Sequence, residues 1–125
     1  MITAIAVARA MVAVAERHGA ETVNSDRTEA YPFNLLDPLD QTEPCCLAGT
    51  ILREEFGESL KPMVEADFWG GPISALIEKP GHPHLTLAGH FTPDALELLQ
   101  FVQTEADTNY MWGDIARIAR AGYSL

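Results

Sequence analysis

Basic residues, cysteines and long apolar runs are all scarce in this chain, and each scarcity removes a class of function. Eight Lys and Arg face eighteen Asp and Glu, for a net charge of −10. The eight are scattered, whereas binding to nucleic-acid phosphates needs clustered cations that release condensed counterions. Direct nucleic-acid binding is therefore not expected. The two cysteines are adjacent, Cys45-Cys46, in a chain of 125 residues. They are too few and too close for a disulfide framework, which suits a reducing cytoplasm. The most apolar stretch, Ile2 to Ala15, is broken by Thr3 and Arg9. Ala13-Val14-Ala15 has the form of a signal-peptidase site. However, no basic residue precedes the stretch, Arg9 interrupts it, and it is too short to cross a bilayer. Neither export nor membrane insertion is expected. No H-E-x-x-H, C-x-x-C, Walker loop, dinucleotide fingerprint or serine elbow occurs. Gly70-Gly71 before Pro72 reads as a turn, not a phosphate cradle.

What is present is helical patterning. Hydrophobic residues make up 47% of the chain and charged residues 21%, which places it among globular proteins of one domain with a real core. From Ile2 to His18, Val7, Met11, Val14 and His18 fall on one stripe at 100° per residue. Ala4, Ala8, Val12 and Ala15 flank that stripe, Ala6, Ala10, Ala13 and Arg17 lie opposite, and Gly19 is the stop. The alanine-rich outer face makes self-association, as a homodimer, an expectation. Ala20 to Gln41 reads as a long irregular connection whose aromatics and leucines pack on the core.

A second helix opens near Thr42-Glu43-Pro44, runs through Cys45, Ala48, Leu52 and Phe56, and ends at Gly57. Gly49 within it allows close helix approach. Ser59 caps a short turn through Val64, and Pro72 leads a short helix to Glu78. Pro80 to Gly89 is a loop with an extended piece at His84 to Leu87. The clearest helix start is Thr92-Pro93-Asp94, with Thr92 as N-cap, Pro93 in the first position and Phe91 stapled to Leu96. After a break at Thr108-Asn109, Met111, Trp112, Ile115, Ile118 and Ala119 form a last stripe that Gly122 ends. The short connection predicts that these two helices pack as an antiparallel pair. The expected fold is all-α, a compact bundle of about five helices.

Candidate chemistry is sparse. His82, His84 and His90 form a histidine-rich loop that could hold zinc or iron; Pro83 between the first pair favours plain surface histidines. His18 fits a satisfied histidine at the boundary of the core. Cys46, in the first turn of a helix, has electrostatics that would lower a thiol pKa, and packing is the alternative role for both cysteines. Glu97, Glu105, Asp107 and Asp114 read as a solvated face. Trp69, Tyr110 and Trp112 sit beside breaks between elements and are candidate interface anchors, although Trp112 also fits the core stripe. No cofactor is implied.

Two segments carry a resemblance. Pro44-Cys45-Cys46-Leu47-Ala48-Gly49-Thr50-Ile51-Leu52 resembles a P-x-C-h-x-G-x-h-L block (h apolar) of small actinobacterial and actinophage proteins of unknown function. Phe91-Thr92-Pro93-Asp94-Ala95-Leu96, Leu98-Leu99, Asp107 and Trp112-Gly113-Asp114-Ile115 are similar to the closing helical pair of the same proteins. The resemblance implies a small cytoplasmic accessory protein of phage or host, with no catalytic residues to carry over. The functional expectation is a non-enzymatic protein that binds another protein through an acidic and aromatic surface. A metal- or thiol-dependent enzyme and an acidic nucleic-acid mimic are the alternatives.

Overall fold

The structure, a computed structural model, describes residues 1–23, 47–65, 77, 85–108 and 110–125. The described residues form four α-helices: α1 Ala4–His18, α2 Leu47–Glu65, α3 Pro93–Asp107 and α4 Trp112–Gly122. A 3₁₀ turn, Leu87–Gly89, precedes α3, and the described residues contain no strand.

α1 begins where Thr3, in an extended conformation, accepts a hydrogen bond from the Ala6 amide on its hydroxyl. It ends as expected at Gly19, whose φ of +104° suits glycine and whose N–H bonds the Ala15 carbonyl. Val7, Ala8, Met11 and Val14 are fully buried. The face expected to be outermost is partly covered instead. Ala10 is buried, and Ala6 and Ala13 are half-buried.

The second helix departs from expectation. α2 runs unbroken through Gly57, Ser59 and Pro62. Interior glycine costs about 1 kcal/mol and interior proline about 3. The opposing force is burial, since Leu60 and Met63 are completely enclosed and Phe56 packs on the core. Leu52, Phe56, Leu60 and Met63 continue one stripe at helical spacing, so stopping at Gly57 would withdraw two core side chains. Where α2 begins relative to Pro44, and the long connection before it, lie outside the described residues. Of the predicted Pro72–Glu78 helix, Ile77 alone is described; it is helical and packs against the core.

Of the extended piece predicted at His84 to Leu87, His84 lies outside the described residues; Thr86 is extended, and a tight turn follows from Leu87. Gly89 N–H bonds Thr86 O at 3.1 Å, and both His90 and Phe91 N–H bond Leu87 O. Leu87 is thereby driven fully into the core. α3 then starts as its sequence dictates, with Thr92 Oγ1 accepting from the Ala95 amide and Pro93 in the first turn. Phe91, fully buried, meets Phe56 edge-on at 5.5 Å.

Two main-chain clasps join distant parts of the chain. Ile2 forms an isolated parallel bridge with Phe91: its N–H bonds His90 O at 2.7 Å, and its carbonyl accepts from Thr92 N–H at 2.9 Å. At the other clasp, Trp112 N–H donates to Thr22 O at 2.7 Å and Gly113 N–H to Ala20 O at 2.9 Å. Amides in a first helical turn have no partner within their own helix. Here the N-cap residue, Met111, makes no side-chain capping bond; carbonyls from the segment after α1 pair with the amides of Trp112 and Gly113. As a result α4 packs chiefly on α1 and makes a smaller contact with α3, the helix to which the short connection joins it.

α4 ends at Gly122, as expected, but Gly122 is not the residue that turns the chain. The chain continues to Tyr123 and reverses at Ser124, whose φ is +56°. Leu125 N–H bonds Arg120 O at 3.0 Å and Ser124 N–H reaches Ala121 O at 3.4 Å. This is a Schellman cap, with serine where glycine is usual.

Candidate functional site

The clasp between residues 20–23 and 110–113 organises the most distinctive surface of the described residues. Trp112, at the first helical position, is carried inward and is 2% exposed. Its ring meets the His18 imidazole edge-on, with centroids 5.7 Å apart and planes at 74°. The structure thus places Trp112 in the core, as a wedge between α1 and α4, and removes it from the candidate interface anchors. Tyr110 and Met111 on the outside of the same clasp point the other way, at 53% and 39% exposure. Val23, next to the clasped Thr22, is also exposed, as is Ile118. Ile118 is seven residues from Met111 and so lies on the same side of α4. Apolar and aromatic groups therefore flank the clasp and continue along one side of the last helix.

Behind Trp112 lies an ion-pair cluster that links α1 to α2. His18 Nε2 lies 2.9 and 3.1 Å from the two carboxylate oxygens of Glu54. Arg17 reaches Glu54 through one terminal nitrogen and Glu55 through the other, the latter at 2.9 Å. Arg53 adds a longer contact to Glu54 at 3.6 Å. Partial burial alone would raise the Glu54 pKa, but hydrogen bonds from His18 and Arg17 outweigh it and hold the carboxyl below its ordinary value. The Arg17 guanidinium is pushed up in turn by its bonds to Glu55 and Glu54. The glutamate pair is the longest acidic run in the sequence, yet its charge is consumed internally. His18 has the partners that the boundary reading of this residue expects.

Of the histidine-loop residues, His90 is described and half-buried. Its carbonyl belongs to the bridge with Ile2. His82 and His84 lie outside the described residues, as do Cys46, Cys45 and Trp69. Among the described residues no three His, Cys, Asp or Glu side chains converge as a metal-binding group, and no helix is long and apolar enough to cross a membrane.

Sequence reasoning missed the Arg17–His18–Glu54–Glu55 cluster. Its partners are separated by 36 to 38 residues, and nothing local announces such a pairing. The signal available was the conjunction of a cationic last turn on α1 with an acidic pair on α2. No protein-family model, curated protein or solved structure matches this chain.

Proposed function

We propose that this protein acts by binding another protein and not by catalysis, and that the contact surface is the side of the α1–α4 clasp bearing Tyr110, Met111, Val23 and Ile118. The observation that carries this reading is the opposite fate of neighbouring residues. Trp112 is spent on the core, while Tyr110 and Met111 are held outward by a backbone fixed at Thr22 and Ala20. Aromatic and Met side chains on a rigid support are the residue types enriched at interfaces. A chain of net charge −10 favours a partner whose apolar anchor is set in a basic surround. In this reading the protein is a cytoplasmic accessory factor. The likeness to small actinobacterial and actinophage proteins adds a phage-encoded or host-modulating role.

A photo-crosslinking residue at Tyr110, with a control at the exposed Glu97 of α3, tests the reading in cells that make the protein. One protein should be captured from position 110 in excess of position 97. On purification and remixing it should form a defined complex that Met111→Glu and Ile118→Glu abolish without loss of helical signal. Equal capture at both positions, or a complex indifferent to these substitutions, overturns it.

A further inference from the structure

The flank of α4 opposite Ile118 borders a trough whose charge runs against that of the whole chain. Between α1 and α4 a cleft of about 280 Å³ has a floor of Val12, Ala15 and Ala116 and is rimmed by Glu16, Arg117 and Arg120. An adjoining hollow of about 450 Å³ shares Val12, Glu16 and Arg120 and adds Arg9. Three of the chain's eight cations therefore gather along one groove. Among the described residues, Glu16 is the one acidic side chain lining it. Asp114 engages Arg117 at 2.7 Å through a single nitrogen, and among the described residues Arg120 uses Nε alone, on the Leu125 main-chain oxygen at 3.2 Å. Arg9 makes no ion pair among the described residues.

The shape also selects an occupant. Arg9, Val12 and Glu16 follow one another at helical spacing, so the α1 wall runs for about 10 Å. The trough is open along its length, whereas small-molecule pockets enclose most of their ligand. Its floor is built from alanine and valine, and at its end Gly113 lies against Ala20. Small side chains let a backbone approach closely.

We infer that this trough binds an acidic amphipathic helix of a partner protein, with apolar side chains on Val12, Ala15 and Ala116 and flanking Asp or Glu on Arg9, Arg117 and Arg120. Laying an amphipathic helix in a groove is an established recognition mode. Charge supplies the specificity. A net charge of −10 disfavours an anionic segment on the chain as a whole, and the three arginines offset that along this groove. The site is separate from the Tyr110–Met111 surface, because residues 113, 117 and 120 and residues 111 and 118 occupy opposite sides of α4.

Two synthetic helical peptides test the inference by titration and amide chemical-shift mapping on the full chain. Both carry a leucine and alanine stripe, flanked in one by glutamate and in the other by lysine. The glutamate peptide should bind at least tenfold more tightly, with shifts at Val12, Glu16, Ala116 and Arg120. Arg9→Glu combined with Arg120→Glu should cut that affinity at least tenfold while the helical signal is retained, and Arg9→Glu alone should cut it several-fold. Equal affinity for the two peptides overturns the inference, as does no detectable binding of the glutamate peptide at millimolar concentration. Shifts confined to Val23, Tyr110 and Met111 overturn it as well, leaving the separate proposal for that surface intact. A concentration-dependent dimer in light scattering that Arg9→Glu dissolves would assign the trough to a second copy of this chain instead.

Discussion

Replacing Gly113 with alanine should destabilise this protein, and the structure says why. A Cβ at this position would lie 2.6 Å from Ala20 Cβ, 2.7 Å from Ala20 O and 2.8 Å from Ala20 Cα. Two of those three are main-chain atoms, so no rotamer change relieves the overlap. The segment after α1 must retreat by most of an ångström to restore ordinary contact. That movement stretches the Gly113–Ala20 and Trp112–Thr22 hydrogen bonds, now 2.9 and 2.7 Å. Overpacking of this kind costs about 1–3 kcal/mol, and each backbone hydrogen bond contributes about 1. Better helix propensity returns up to about 1 kcal/mol. The net loss should be about 2 kcal/mol, or on the order of 8 °C in Tm for a chain of this size. Gly122→Ala is the matched control, because a methyl there would meet nothing within 4 Å and the backbone φ is not positive. It should be neutral or stabilising by up to about 1 kcal/mol. Chemical denaturation of the two variants beside the parent reads both. Ala20→Gly in the Gly113→Ala background should restore less than half the loss, since it removes only the Cβ partner. A Gly113→Ala protein as stable as the Gly122→Ala protein would refute the close approach.

Other perturbations probe the remaining contacts. Trp112→Ala should cost about 3–5 kcal/mol as a buried aromatic truncation, whereas Tyr110→Ala, half-exposed, should change stability by less than about 0.5 kcal/mol in the same melts. Ser124→Gly should stabilise by about 1 kcal/mol, because it relieves a left-handed serine at the Schellman cap; thermal unfolding reads the gain. Glu54 should make stability pH-dependent. Its folded pKa is lowered, so its contribution is fully present above the unfolded carboxyl value, about 4.3. It is lost as pH falls through the lower folded value. Glu54→Gln should therefore narrow the gap to the parent on acidification, with solvent screening holding the difference at neutral pH to about 1 kcal/mol. Urea titrations at a series of pH values check this.

The elements legible in the sequence are those whose signals are local. Thr92-Pro93-Asp94 fixes a helix start by cap, ring geometry and dipole together, and Gly19 fixes a stop through its positive φ. Sequence and structure part where tertiary burial overrides a local preference. Gly57 and Pro62 each argue for ending α2, but neither outweighs the burial of Leu60 and Met63. Gly122 does close α4, but the left-handed C′ position that glycine usually fills falls two residues later, on Ser124. Trp112 satisfies both a core pattern and an interface pattern. Only its pairing with His18 and the clasp at Thr22 decide which, and both depend on residues about ninety positions away. The exposed partners Tyr110 and Met111 follow from the same clasp. The arginine trough is invisible in the sequence for a related reason. Arg9 lies in the first helix and Arg117 and Arg120 in the last, so they appear scattered until α1 and α4 are packed side by side.

Capping of α4 by carbonyls from the segment after α1 is what holds the proposed contact surface in place, and hydrogen exchange at two amides tests it directly. The Trp112 and Gly113 N–H groups occupy the first turn, where helical amides ordinarily exchange freely. They should instead be protected to nearly the same degree as the Met11 and Val14 amides inside α1. Exchange of both at unprotected rates, with α1 still protected, would contradict the clasp and the surface built on it.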